Sequence, residues 1–293
     1  RKHANSNSNS NWRKKSIFFE LPYWSSNLLR HCLDVMHIDK NICEMLLATI
    51  LNVKGKTKDD LRCRRDLMDW GIRARLHPEL IGQNKWKVHV SYYSMTNVEK
   101  KQFLQVLEIL KVPDGYSSNI SKRVNTQDVK LKSLKTHDYH VLLHELIPIS
   151  IRHLLSHNVR VLVIKLCQFY RDLCAKRLSR SVVQKLQRDA PIILCDLEKI
   201  FPPSFFTCML HLTVHLPTKV LFGGLVSSRW MYPTERMMFT LKSYVRNKYH
   251  PEGSIVKCYL AQECMDFCSS YLANVTTRSN RLMRIEDEQY DPI

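Results

Sequence analysis

From Leu28 to Leu51 the chain reads "LLRHCLDVMHIDKNICEMLLATIL", with polar positions mostly single or paired inside an apolar background. Leu28, Leu29, Cys32 and Leu33 predict a short buried strand or turn leading to Asp34. Beyond it, Met36, Ile38, Ile42, Met45, Leu46 and Ile50 recur at helical spacing, which predicts a helix packed deeply on one side. Upstream, "ANSNSNSN" (4–11) offers nothing to bury and reads as a linker or disordered run. "SIFFELPYW" (16–24) is apolar and aromatic, interrupted by Pro22.

Past the first helix, Gly55 acts as a breaker, and Thr57 or Asp59 is placed to cap a second helix carrying Leu61, Leu67 and Met68. "KWKVHVSYYSM" (85–95) alternates in part like a strand, and Thr96 with Glu99 forms a capping-box pattern before a helix to about Leu110. Residues 112–135 read as a loop. Helical patterns follow around 138–156, 159–176, 180–200 and 203–216, punctuated by Asn158, Ser179 and the Pro202–Pro203 pair. Gly223 and Gly224 predict a turn, Pro233 fits the first turn of a helix running to about Asn247, and a last helix is expected over 254–272. The tail "RIEDEQYDPI" is acidic and reads as loose. There is no internal repeat and no glycine-rich phosphate loop. The pattern predicts a predominantly α fold with a small β component.

Charge changes the picture of what such a fold meets. Lys and Arg outnumber Asp and Glu by 45 to 27, for a formal net charge of +18. Such an excess favours a polyanionic partner, because each neutralised phosphate releases condensed counterions. The basic segments are "KGKTKDDLRCRR", with Lys54, Lys56, Lys58, Arg62, Arg64 and Arg65, and "LKSYVRNKYH", with Lys242, Arg246 and Lys248 interleaved with Tyr244 and Tyr249. They suit phosphate contacts and base stacking, or equally a solvated helix face. Ten cysteines contain no CxxC pair and fit no common zinc module, which favours reduced, buried thiols. No apolar run reaches membrane-spanning length, so a membrane partner is not expected.

Two acids carry candidate chemistry. Asp34 and His37 are three positions apart, and Asp34 can serve as a metal ligand at the end of an apolar element or as the N-cap of the helix beginning at Val35. Glu235, in "RWMYPTER", sits at a helix start, where the macrodipole favours an acid, or pairs with Arg229 or Arg236. His211 and His215 are four apart and share a helix face, without the intervening Glu of a zincin.

"LPYWSSNLLRHCLDVMHIDKNICEMLLATILNVKGKTKDDLRCRRDL" (21–67) resembles the end of the catalytic region of plant CACTA-type (En/Spm-like) transposases. The stretches 134–155, 193–217, 229–255 and 259–272 resemble the domain of unknown function that follows it in those proteins. The resemblance implies an incomplete ribonuclease-H-like core interrupted by a large helical insertion. It divides the chain into a linker (1–15), the end of the catalytic region (16–95), a helical insertion (96–217), a C-terminal part of the core (218–275) and a loose tail (276–293). It also implies an acidic triad holding Mg²⁺ or Mn²⁺, which activates water or a DNA 3′-hydroxyl for an in-line displacement. "DVMH" (34–37) matches the D-x-x-H signature of such enzymes, making Asp34 a ligand with His37 beside it, and Glu235 fits the final acid. The partner would be DNA, with a possible homo-oligomer and no small-molecule substrate, and the location nuclear. No Asp precedes Asp34, and "GGLVSSRW" stands where the family has "GPVxYRW". The expectation is a fragment or derivative of a transposase, inactive alone. The rival expectation is a non-catalytic DNA- or protein-binding module in which both acids are structural.

Overall fold

The computed structural model describes residues 16–30, 32–82, 85–111 and 119–272. The expected linker before residue 16, residues 112–118 of the expected 112–135 loop and the acidic tail lie outside the described residues. The chain forms two compact units, one up to Trp230 and one from Met231. This boundary falls inside the expected 218–275 segment, and the segments 16–95 and 96–217 share one core.

At the centre of the first unit is α1 (Val35–Ile50), with Val35, Ile38, Ile42, Cys43, Leu46 and Ile50 all buried. A helix apolar on most of its circumference must be surrounded, and α1 packs on α4 (Thr136–Val141) and on α8 (Cys208–Leu212). Fully burying a residue such as Leu46, at 0% exposure, is worth about 1.5–3 kcal/mol.

α2 (Leu61–Asp69) is capped by Asp60, whose carboxylate accepts from the Cys63 amide at 2.9 Å. Thr57 and Asp59 were the expected caps. Asp59 is instead turned inward to the Arg64 guanidinium, which leaves the next acid to close the helix. Of the stretch 85–95, only β2 (Lys85–Lys87) is a strand, paired antiparallel with β1 (Glu79–Gly82). The remainder turns into the core, where Tyr93 and Met95 are buried and the Met95 amide donates to the Ile50 carbonyl at 2.7 Å. A second ribbon pairs β3 (Val124–Asn125) with β4 (Lys130–Leu131). The fold is predominantly α, and among the described residues these two ribbons are its sheets.

α3 (Asn97–Ile109) begins with the expected capping box of Thr96 and Glu99. Glu99 does more than cap, because its second oxygen accepts from the Leu155 amide at 3.0 Å, in a turn where Leu155 has φ +62°. α4 continues through a π-helical turn (Leu142–Leu146) into α5 (Ile147–Ser150). α6 (His157–Leu173) and α7 (Arg180–Ile200) pack together; Ser179, expected to separate two helices, does so as the N-cap of α7, and the Pro202–Pro203 pair follows its end. α9 (Leu216–Gly223) packs on α7 and ends at Gly224, whose φ of +74° a side chain would strain.

The second unit consists of α10 (Tyr232–Tyr244) and α11 (Pro251–Ser269), packed on each other. Pro233 lies in the first turn of α10 as expected. Pro251 opens α11 three residues before the expected start, since a proline costs nothing where the amide lacks a helical partner. The Ser254 hydroxyl accepts from the Asn247 amide at 3.2 Å and joins the intervening turn to α11.

Candidate functional site

The N-terminus of α1 carries the first candidate pair. Asp34 leaves the helix with extended backbone, and Oδ1 accepts from the Met36 amide at 3.0 Å. Oδ2 lies 2.5 Å from Nδ1 of His37, one turn along. Asp34 is therefore an N-cap, as one of the two sequence readings has it. Capping does not exhaust the carboxylate, because each oxygen offers a further lone pair. His37 is exposed, so the pair opens to solvent.

Glu235 occupies the first turn of α10, exposed, where an acid favours the positive end of the helix dipole. Within its own unit it makes no ion pair among the described residues, so Arg236 is not its partner. Asp34 stands in the first unit and Glu235 in the second.

The basic segments divide on inspection. Lys54, Arg62 and Arg65 are exposed, Lys58 is half-buried, and none of the four has a carboxylate partner among the described residues. Arg65 lies over the Trp86 ring at 5.4 Å. Lys56 reaches Glu44 at 3.1 Å, on the side chain that also holds Lys40 at 2.8 Å. Arg64 leaves the phosphate-binding set, because its guanidinium is fully buried. Nε and Nη2 donate to the two oxygens of Asp59, and Nη1 donates to the Leu76 carbonyl at 2.9 Å. A fork so engaged closes the core under α2 and has no donor face toward solvent. In the second unit Lys242, Arg246 and Lys248 are all exposed and unpaired among the described residues, and Tyr249 stands almost wholly in solvent.

Sequence reasoning missed a third group of residues. Asp39 on α1 is 1% exposed, and its Oδ2 lies 2.7 Å from Nδ1 of His140 on α4. His144, in the π-helical turn, stacks near His140 with ring centroids 3.9 Å apart. Its Nε2 lies 3.4 Å from Asp39 Oδ2 without hydrogen-bond geometry. Cys174, at the C-terminal cap of α6, completes the group. One donor atom each from Asp39, His144 and Cys174 lies within 4.8 Å of the others. Burial holds the His144 imidazole below its ordinary value against the pull of the Asp39 carboxylate, and burial pushes the Cys174 thiol up. The signal was present in "HDYHVLLHE", where His140 and His144 are four apart and share a helix face. The partners at 39 and 174 come from distant sequence.

His211 and His215 do face each other, with Nε2 atoms 3.3 Å apart. Both are exposed, and no acid or thiol joins them among the described residues. Of the ten cysteines, Cys43, Cys63, Cys167 and Cys174 are buried, while Cys32, Cys195, Cys208, Cys264 and Cys268 are exposed. The expectation of buried thiols therefore holds for some and fails for others.

Residues 173–286 match the family model of a domain of unknown function, DUF4218. The matched span runs from the end of α6 through α7 to α11, and contains three of the stretches that resemble such a domain in sequence: 193–217, 229–255 and 259–272. The stretch 134–155, which carries His140 and His144, lies before it. No curated protein and no solved structure matches the chain. No helix among the described residues is long and apolar enough to cross a membrane.

Proposed function

We propose that this chain is a DNA-holding part of a transposase-type protein, derived from or belonging to the plant CACTA group and acting in the nucleus. The observation that carries this reading is the set of basic side chains at Lys54, Arg62, Arg65, Lys242, Arg246 and Lys248. They are exposed and, among the described residues, have no carboxylate to neutralise them, in a chain of net charge +18. Exposed cations left unpaired favour a phosphate backbone, and release of its condensed counterions supplies the driving force for binding.

Within this reading the helical block from α3 to α9 is the insertion of a ribonuclease-H-like enzyme. Asp34 would then be one carboxylate ligand of a Mg²⁺ or Mn²⁺ ion, which supplies activation of a water or a 3′-hydroxyl and neutralises a leaving oxygen, and Glu235 keeps the role of final acid only as the family resemblance implies it. The donor chemistry suits a hard cation: Asp34 is a carboxylate at a solvent-facing helix start with lone pairs to spare, and Glu235 is an exposed, unpaired carboxylate. Asp34 also fixes its own surroundings by ordering the first turn of α1 and holding the His37 ring beside the carboxylate.

The second reading is a non-catalytic DNA-binding module. It is favoured by the role of Asp34 as the N-cap of α1, which accounts for an acid at this position without a metal. The two readings separate on one experiment: binding of a duplex oligonucleotide followed by fluorescence anisotropy, with and without Mn²⁺, in the native chain and in Asp34→Asn. Both predict salt-sensitive binding, whereas only the first predicts that Mn²⁺ tightens it in an Asp34-dependent way. Absence of saturable binding at low salt would remove both.

A further inference from the structure

We infer that Asp39, His144 and Cys174 form a binding site for a borderline-soft divalent transition metal of the Zn²⁺ class, distinct from any Mg²⁺ or Mn²⁺ at Asp34. Three observations converge on it. The donor set is one carboxylate, one imidazole and one thiol, all buried, each from a different element: α1, the π-helical turn and the end of α6. Two buried polar atoms of the group, Asp39 Oδ1 and His144 Nε2, are left without hydrogen-bond partners inside the protein. Buried polar atoms are almost always satisfied, so two unpartnered atoms on residues grouped with a buried thiol call for a ligand. The carboxylate is also already oriented, because its other oxygen is held by His140 Nδ1 at 2.7 Å, as outer contacts commonly orient metal ligands.

The spacing suits the assignment. Donors at 2.0–2.3 Å from a tetrahedral ion sit about 3.3–3.8 Å from one another. The three atoms here lie within 4.8 Å, so a shift of the donor atoms by about 1 Å would close the site. Mixed oxygen, nitrogen and sulfur donors select Zn²⁺ or Co²⁺ over Mg²⁺ or Ca²⁺, which take oxygen alone. The π-helical turn at Leu142–Leu146 belongs to the same pattern, since such bulges occur frequently at functional sites. A cleft of about 370 Å³ lined by His140, His144, Arg171, Cys174 and Lys176 reaches the group. Three protein ligands leave a fourth position, and the cleft gives it to a water molecule.

A bound ion would tie α1, the α4 segment and α6 together at one point. The metal site does not require DNA. Its test is a Co²⁺ titration of the chelator-treated full chain, with Zn²⁺ as competitor. The expected result is saturation at one equivalent, with the intense visible bands of tetrahedral cobalt and a sulfur-to-cobalt charge-transfer band that Zn²⁺ abolishes. Cys174→Ser removes the charge-transfer band, and His144→Gln, which removes a direct ligand, weakens binding by about tenfold or more, while Cys208→Ser, at an exposed thiol outside the group, changes neither. Thermal melting with Zn²⁺ supplies a readout that needs no colour: the native chain melts higher with the ion, and folded Cys174→Ser does not. Absence of saturable cobalt binding, or a charge-transfer band that persists in Cys174→Ser, would overturn the site and leave Asp39 and its neighbours as a buried polar network only.

Discussion

Oδ2 of Asp39 lies 2.7 Å from Nδ1 of His140, a contact that bridges 101 positions of sequence and fastens the central helix α1 to α4. A carboxylate 1% exposed cannot be left without partners, so this contact is part of what fixes the register between the two helices.

Removing that partner should therefore cost stability. His140→Ala is expected to lower the unfolding free energy by about 1.5–3 kcal/mol, the range for a hydrogen bond to a charged group. Urea denaturation in the presence of a chelator measures it without interference from metal. A midpoint equal to that of the native chain would contradict the role assigned to the contact.

Arg64 provides a second test, since the sequence alone placed it among the phosphate-binding residues and the structure places it in the core. Arg64→Gln leaves the Asp59 carboxylate buried without its counter-charge and should cost about 3–5 kcal/mol. Arg62→Gln, one position away and exposed, should change stability by less than about 0.5 kcal/mol and weaken DNA binding instead. Reversal of the two phenotypes would show that Arg64 reaches solvent.

The pH dependence of folding should report Glu99. Burial raises the pKa of its carboxyl, but the Thr96 amide and hydroxyl and the Leu155 amide outweigh burial and hold it below the ordinary value of 4.5. A carboxyl depressed in the folded state binds fewer protons there than in the unfolded chain, so its contribution is present above about pH 4.5 and is lost as pH falls through the folded value. Glu99→Gln keeps an acceptor but cannot titrate. Its stability should fall less steeply below about pH 4.5 than that of the native chain. Parallel curves would show that the two amides do not favour the charged form.

Asp34→Asn separates capping from cation binding. Asparagine caps as well as aspartate, so folding should be retained, whereas a hard cation loses its carboxylate. Mn²⁺ affinity, read from the resonance of free Mn²⁺, should drop by about tenfold or more, the scale of losing 1.4 kcal/mol or more of interaction. Equal affinity in the two proteins would leave Asp34 as a cap and nothing else.

What could be read from sequence was what neighbours in sequence decide. The Thr96–Glu99 capping box, the breaks at Ser179 and Pro202–Pro203 and the Asp34 cap depend on residues within a few positions, and each is where the pattern puts it. The cap of α2 went to Asp60 because Asp59 is claimed by a buried arginine, and the strand at 85–95 ended early because Tyr93 and Met95 are drawn into the core. Both are tertiary choices without a local signature. The Asp39–His144–Cys174 group is the extreme case: half of its histidine signal is visible as a four-residue spacing, but the carboxylate and thiol meet it only after α1, α4 and α6 have packed.

The most direct test of the account is the salt dependence of duplex DNA affinity. The native chain should lose affinity linearly in log–log form as salt rises. Changing Lys54, Arg62 and Arg65 together to Gln should reduce the slope by about 2.7, at about 0.9 per phosphate contact, without changing the melting temperature. An unchanged slope in the triple variant, or no saturable DNA binding by the native chain at low salt, would contradict the claim that these exposed cations hold DNA.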